Sequence, residues 1–320
     1  MSSLIEPVGP ADPAATVAEL EANLARVVHA PAEVLRLVVL CLIAEGHLIV
    51  EDFPGVGKTM LAKALARSLD VSFSRLQFTP DLLPSDVTGV NVFDQAAGAF
   101  RFRAGPVFAS LLLADEINRA SPKTQSALLE CMQENQVTVD GETYPLPRPF
   151  MVMATQNPIE YEGTYPLPEA QLDRFALRVS LGYPTLQEES RMLNEQTTEP
   201  PLDELEPVAG AAEALGLVEA AKSVFVEESL NKYVVALLRT TRSDSRLYLG
   251  ASPRSGIALL RVAKALALAD GREFLVPDDV KAVAPAVLSH RLILAPEARS
   301  AGLAGGDVVR EALERTPVPV

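Results

Sequence analysis

Leu48-Ile49-Val50-Glu51-Asp52-Phe53-Pro54-Gly55-Val56-Gly57-Lys58-Thr59 is the stretch on which the fold turns. An apolar run of strand length leads into a turn with two glycines, and Lys58 and Thr59 then open a helical pattern over 58–69. Glycines let the backbone curve tightly without a Cβ clash, so successive N–H groups can point into one concavity. The partial positive charge of a helix N-terminus falls at the same place. This strand–loop–helix unit predicts a cradle for phosphates, lined by Pro54, Gly55, Val56, Gly57, Lys58, Thr59 and Met60. Lys58 is expected to reach the β- and γ-phosphates, and the Thr59 hydroxyl to lie on Mg2+. The pattern G-x-x-x-x-G-K-[ST] has a glycine where this chain has Asp52. A carboxylate beside phosphates is repelled, so the Asp52 side chain is expected to point away.

Outward from the cradle, strands and helices alternate. Apolar spacing predicts helices over 14–28, 32–44 and 123–134, and strands over 48–50, 71–76, 111–114 and 150–154. The last two strands are apolar throughout, as in parallel sheets buried on both faces. The alternation predicts an α/β doubly wound sheet. Two segments break the rhythm as insertions: 89–107, with strand-like pieces at 90–93 and 100–103, and 136–146, where Asp140-Gly141 suits a type I′ hairpin turn. Beyond Tyr183-Pro184 the composition changes. Thr185-Leu186-Gln187-Glu188 fits a capping box, 198–207 is rich in proline and acid, and helices are expected over 210–220, 229–241, 255–269, 278–288 and 307–315. The expected division is a helical segment over 1–30, a nucleotide-binding core over 31–198 and a helical domain over 199–320.

Three further motifs carry chemistry. In Leu111-Leu112-Leu113-Ala114-Asp115-Glu116 an apolar strand delivers two carboxylates to the sheet's C-terminal edge, where ligands bind in open α/β sheets. Asp115 can hold Mg2+ through its water shell, and Glu116 can orient and polarise an attacking water. In Met151-Val152-Met153-Ala154-Thr155-Gln156-Asn157 a second buried strand ends in amides, with Asn157 placed to hydrogen-bond a γ-phosphate or that water. Residues 168–175 read as a helix holding Asp173 and Arg174, which on their own also suit a surface ion pair worth at most about 1 kcal/mol.

Composition narrows the function classes. With 28 basic against 42 acidic side chains the net charge is −14, which disfavours wrapping of nucleic acid. Two cysteines, Cys41 and Cys131, make no disulfide framework and point to a reducing compartment. The most apolar segment, 34–50, is interrupted by Arg36, Glu45 and His47, so no membrane span is expected. Residues 1–13 lack the features of a secretory signal, and a cytoplasmic protein is expected. His29, His47 and His290 lack clustered partners and suit surface or packing roles, and Cys41 suits the core. Phe100-Arg101-Phe102-Arg103 suits an insert strand with one packed face, or a ribbon that grips a partner or single-stranded nucleic acid.

The order of these motifs resembles the MoxR family of AAA+ ATPases from about residue 15 to nearly the end. The resemblance rests on 51–59, 77–89, 113–130, 154–175 (with Ala-Thr-Gln-Asn-Pro-Ile-Glu and Gly-Thr-Tyr-Pro-Leu-Pro-Glu-Ala-Gln-Leu-Asp-Arg-Phe) and Gly250-Ala251-Ser252-Pro253-Arg254. It implies a P-loop (AAA+) core with a C-terminal all-α lid, ATP and Mg2+ as ligands, and a homo-oligomeric, hexameric ring. It further implies that Asn157 is the sensor-1 residue, Arg174 the arginine finger aimed at a neighbouring copy, and Arg254 the sensor-2 arginine of the lid. Segments 89–107 and 136–146 match the helix-2 insert and the hairpin before sensor 1. Relatives carry Val-Gly-Gln before Glu-Glu-Val near the adenine, whereas this chain has His29-Ala30-Pro31, which leaves ATP-over-GTP preference open. The implied function is Mg2+-dependent ATP hydrolysis that remodels or matures a protein client, a class that includes von Willebrand factor A-type domain proteins. A chelatase-type motor for metal insertion is the alternative, ahead of a nucleic-acid-dependent NTPase and a non-enzymatic, nucleotide-gated scaffold.

Overall fold

The computed structural model describes residues 5–157, 164–183 and 202–319, with Leu186 and Glu189. The capping box expected at 185–188, apart from Leu186, and residues 198–201 of the proline- and acid-rich linker lie outside the described residues.

The chain opens with two helices, α1 (Pro13–Ala25) and α2 (Ala32–Ile43). Asp12 caps the first by accepting the Ala15 N–H at 3.0 Å, and Pro13 fits the first helical position. The helix ends at Ala25 rather than continuing to 28, although Val28 N–H still bonds the Leu24 carbonyl at 2.9 Å. Arg26 and Val27 bond three residues back, and Val27 and Val28 remain buried, so their apolar character reflects burial past the helix end. β1 (Leu48–Glu51), α3 (Lys58–Ser68) and β2 (Phe73–Gln77) follow, then the short α4 (Pro84–Thr88). The first insertion is an antiparallel hairpin of β3 (Gly89–Asp94) and β4 (Ala99–Ala104). β5 (Leu111–Asp115) leads to α5 (Pro122–Glu134), whose Ser121 cap and left-handed Asn135 mark its ends. The second insertion is the hairpin of β6 (Gln136–Val139) and β7 (Glu142–Pro145), with Asp140 and Gly141 both at positive φ as a type I′ turn requires. β8 (Met151–Gln156), the four-residue α6 (Glu169–Leu172) and β9 (Leu177–Val179) complete this half.

Within the described residues five strands form one parallel sheet in the order β2-β5-β8-β1-β9. Period-2 alternation assigns its side chains to two cores. Leu48, Val50, Leu111, Leu113, Met151 and Met153 pack on the face covered by α1, α2 and α3. Ile49, Leu112, Ala114, Val152 and Ala154 pack on the opposite face with Phe78, Val87, Leu128 and Phe175. Burial on both faces explains the unbroken apolar runs.

The C-terminal half contains α7 (Ala211–Ser223), α8 (Glu228–Arg242), β10 (Leu247–Leu249), α9 (Pro253–Ala269), α10 (Pro277–Leu288), β11 (Ile293–Leu294), α11 (Pro296–Ser300) and α12 (Gly305–Arg315). Helices dominate it, and β10 and β11 add a short antiparallel pair that apolar periodicity did not reveal. Pro277 begins α10, and the Asp279 carboxylate accepts the Val276 N–H at 2.9 Å. The hydrophobic cluster of the first sheet face continues through α2 into α7 and α9, so the two halves share apolar packing.

Candidate active site

Gly55 and Gly57 have φ of 86° and 93°, and no protein atom lies within 4 Å of a Cβ built on either. The loop is therefore an open concavity that only glycine backbone lines without strain. Gly57 is the N-cap of α3, whose first intrahelical bond, Leu61 N–H to Gly57 C=O, spans 2.9 Å. Helix geometry thus leaves the N–H groups of Lys58, Thr59 and Met60 without an intrahelical acceptor, facing the cradle. Lys58 Nζ donates to the Asp52 carbonyl at 2.7 Å, which folds the lysine back along the loop. The Asp52 carboxylate, 3% exposed, points away from the cradle as expected: it accepts the backbone N–H groups of Leu181 and Gly182. A residue that departs from the motif therefore anchors the loop to the chain beyond β9.

The two acids of β5 diverge. Glu116 adopts the left-handed conformation (φ 56°, ψ 50°), rare for a non-glycine residue, which turns the chain sharply after Asp115. Asp115 Oδ1 accepts the Thr155 hydroxyl at 2.7 Å, and Oδ2 accepts Arg75 Nη2 at 2.6 Å. The Thr155 hydroxyl in turn accepts the Glu116 N–H at 2.8 Å, so one side chain on β8 fixes both residues. Glu116 Oε2 accepts Gln77 Nε2 at 2.6 Å and lies 3.2 Å from Arg119. Asn157 is buried just beyond β8. The loop after β1, the acids after β5 and Asn157 after β8 thus meet at the C-terminal edge of three adjacent strands.

Arg75, Gln77 and Thr155 were not singled out in the sequence. A threonine inside the apolar strand 151–156, beside the strand that ends in Asp-Glu, was the available signal. Arg75 and Gln77 gave none locally, because their partners lie 40 and 39 residues away.

Arg174 and Arg254 occupy the other end of the sheet. Both line a cavity of about 640 Å³ with Gly46 and His47, which precede β1, Phe150, which precedes β8, and Ala176, which precedes β9. Arg254 therefore lies away from the phosphate cradle of its own chain. The lid packs at the N-terminal edge of the strands, beside the finger candidate. Neither guanidinium makes an ion pair or hydrogen bond with a described residue. The possible Asp173–Arg174 surface pair does not form, because Asp173 bonds Arg291 Nε at 2.8 Å.

The remaining candidates sit as packing groups. His47 is buried, with Nδ1 accepting the Val152 N–H and Nε2 donating to the Met132 carbonyl, both at 3.0 Å. Desolvation pulls its pKa down to about 4, the Met132 bond opposing. His290 is buried, with Nε2 3.1 Å from the Phe175 carbonyl oxygen, and burial pushes its pKa well down. Cys41 and Cys131 are buried and their thiols pushed up by desolvation, Cys131 to about 12. His29-Ala30-Pro31 turns between α1 and α2. On the first hairpin Phe102 stacks on Tyr144 at 4.0 Å and Arg101 pairs with Asp94, which fits a strand with one packed face.

The cradle and its neighbours suit a nucleoside triphosphate with Mg2+. Among the described residues no three His, Cys, Asp or Glu side chains gather as a protein cage for a metal. Thr59 and Asp115 instead suit a small divalent ion that keeps its waters and takes further ligands from phosphates. Among the described residues no helix is long and apolar enough to cross a membrane.

Two family models match the chain: the ATPase family associated with various cellular activities (AAA) over residues 47–177, and the AAA lid domain over residues 239–312. Fold and site thus define an ATPase of the AAA+ class, with a parallel sheet core, a helical lid and a nucleotide-binding loop. A crystal structure from Cytophaga hutchinsonii superposes with a TM-score of 0.90 at 37% identity, covering 96% of each chain. The chain is 48% identical to YeaC of Bacillus subtilis over 92% of both chains. It is 41% identical to Chaperone MoxR1 of Mycobacterium tuberculosis, over 92% of this chain and 80% of that one. It belongs to the MoxR family of AAA+ ATPases.

Proposed function

We propose that this chain is an Mg2+-dependent ATPase that works as a ring of identical copies and uses turnover to remodel or mature a protein client. The observation that carries the reading is the separation of the site's parts. Lys58, Thr59, Asp115, Glu116 and Asn157 gather at one edge of the sheet, and the unpaired Arg174 and Arg254 at the opposite edge. Arg75 and Arg119 at the cradle are engaged with Asp115 and Glu116, so one copy holds a phosphate cradle without Arg174 or Arg254, and those two arginines without a cradle. Head-to-tail packing would bring the second set to the first, so hydrolysis becomes a property of the interface.

Within that site the backbone of 54–60 and Lys58 hold the triphosphate. Thr59 and Asp115 would hold Mg2+, which would supply charge neutralisation on the phosphate oxygens. Glu116, once released from Gln77 and Arg119, orients the attacking water and accepts its proton, while Asn157 fixes that water or the γ-phosphate. A neighbour's Arg174, with Arg254 beside it, stabilises charge on the transferring group, an effect worth about 10³–10⁵ in rate in the better-studied GTPases. The relative named a chaperone supports a protein client, and the family resemblance points to a von Willebrand factor A-type domain as its class. A phosphate-release assay tests the reading. Arg174→Ala and Arg254→Ala are expected to bind Mg-ATP as the parent chain does and to lose turnover. Undiminished hydrolysis by Arg174→Ala would remove the assignment.

A further inference from the structure

Between the two unpaired arginines lies an ion pair of the buried Arg291 with the half-buried Asp173. Asp173 directly precedes Arg174. Its Oδ1 accepts Arg291 Nε at 2.8 Å, and its Oδ2 accepts the Ser252 hydroxyl at 3.1 Å. Ser255 Oγ lies 3.4 Å from Oδ1. Ser252 and Ser255 flank Arg254 at the start of α9, where the Ser252 hydroxyl caps the helix by accepting the Ser255 N–H at 3.1 Å. One carboxylate therefore touches the residues on either side of Arg254 while its own main chain runs into Arg174.

Arg291 closes the arrangement from the lid. Its side chain is 2% exposed, and it reaches four carbonyls as well as the carboxylate: Asp173 at 3.3 Å, Phe175 at 2.7 Å, Ala176 at 3.0 Å, and Val287. Three of these flank or follow Arg174, and Val287 is in α10. The planar guanidinium thus pins the segment 173–176 of the core to the lid at several points, a geometry a lysine ammonium cannot reproduce. Ordinary packing between halves calls for no such device, since a buried charge is costly to desolvate. The cost is understandable if two side chains must be held at a fixed separation.

We propose that Asp173 and Arg291 are positioning residues that hold Arg174 and Arg254 as one preformed pair, so that both reach a neighbouring copy's phosphates together. The proposal rests on the reading that these arginines act between copies. Rate is sensitive to this geometry, because misplacement by about 1 Å can cost about 10²-fold.

The test uses the full-length chain and steady-state ATP hydrolysis. Arg291→Lys keeps the charge and removes the fork. It is expected to bind Mg-ATP with an unchanged Kd at its own intact cradle, and to lose at least tenfold in kcat with little change in KM. Mixed with Lys58→Ala, which presents a correct arginine pair and has no working cradle, it is expected to regain activity. A Ser252→Ala variant, which removes the Ser252 bond to Asp173 together with the N-cap of α9 and leaves Arg291 in place, keeps the test informative should Arg291→Lys fail to fold. It is expected to lose several-fold in kcat and be restored by the same mixing. Unchanged kcat in the folded variants, or a loss that mixing does not restore, overturns the proposal. Arg174→Ala run in parallel separates the two levels. If it is restored by Lys58→Ala and the positioning variants are not, only the positioning role fails; if it is not restored either, action between copies fails first.

Discussion

Acidification should weaken this fold before its carboxylates begin to protonate, and His47 is the group to follow. Its two nitrogens hold α5 and β8 against the start of β1 through the Met132 carbonyl and the Val152 N–H, and its ring meets Phe150 edge-on at 5.6 Å. Protonating Nδ1 would destroy the acceptor for Val152 and bury a cation. Burial accordingly pulls the pKa from 6.5 to about 4. The unfolded chain therefore binds the proton first as pH falls. The stability contributed by neutral His47 is complete above about pH 6.5 and is lost progressively towards pH 4. At about 1.4 kcal/mol per pH unit, roughly 2 kcal/mol is gone by pH 5 and about 3 kcal/mol below pH 4. His290 acts in the same sense, being pushed down by burial and then by the Arg291 charge. Asp244, held to about 2 by hydrogen bonding to Arg246, acts at lower pH. Urea unfolding at pH 7 and pH 5 of the parent chain and His47→Gln tests this. Glutamine offers a donor and an acceptor without titrating, so the variant should lose roughly 2 kcal/mol less between the two pH values. An equal loss in both proteins would refute the reasoning.

Three further outcomes follow from single features. Glu116→Gln should still bind Mg-ATP and lose about 10²–10⁴ in turnover, the usual range for a positioned proton acceptor, as read by phosphate release. A client should co-purify with this ATP-trapped form. Gly57→Ala meets no protein atom but must hold an L residue at φ 93°, so a thermal melt should show a loss of about 1–2 kcal/mol, while binding of a fluorescent nucleotide falls at least tenfold. Leu112→Ala empties a site of 0% exposure between β5 and the second sheet face and should cost about 2–5 kcal/mol by urea unfolding.

What the sequence disclosed and what it withheld divide by range. The phosphate loop, the acids after 111–114 and the two hairpins are local: a few adjacent residues set the turn, the cap or the alternation. Even the outward Asp52 carboxylate was foreseeable from charge repulsion at the cradle, although its partners, Leu181 and Gly182, were not. The hidden contacts join distant segments. Thr155 meets Asp115 across 40 residues, and Arg291 meets Asp173 across 118, and neither pair leaves a periodic trace. The placement of Arg254 was hidden for a related reason. Its motif marks the start of a helix, while the end of the sheet on which that helix lies depends on how α2 packs against α7 and α9. The β10–β11 pair escaped notice because its strands are two and three residues long.

Mixing Arg174→Ala with Lys58→Ala at constant total protein and following ATP hydrolysis against mole fraction tests the divided site most directly. Each variant alone should be nearly inactive, and activity should rise to a maximum at intermediate composition, where an intact cradle faces an intact arginine pair. A flat line at the level of the separate variants would contradict a site shared between copies.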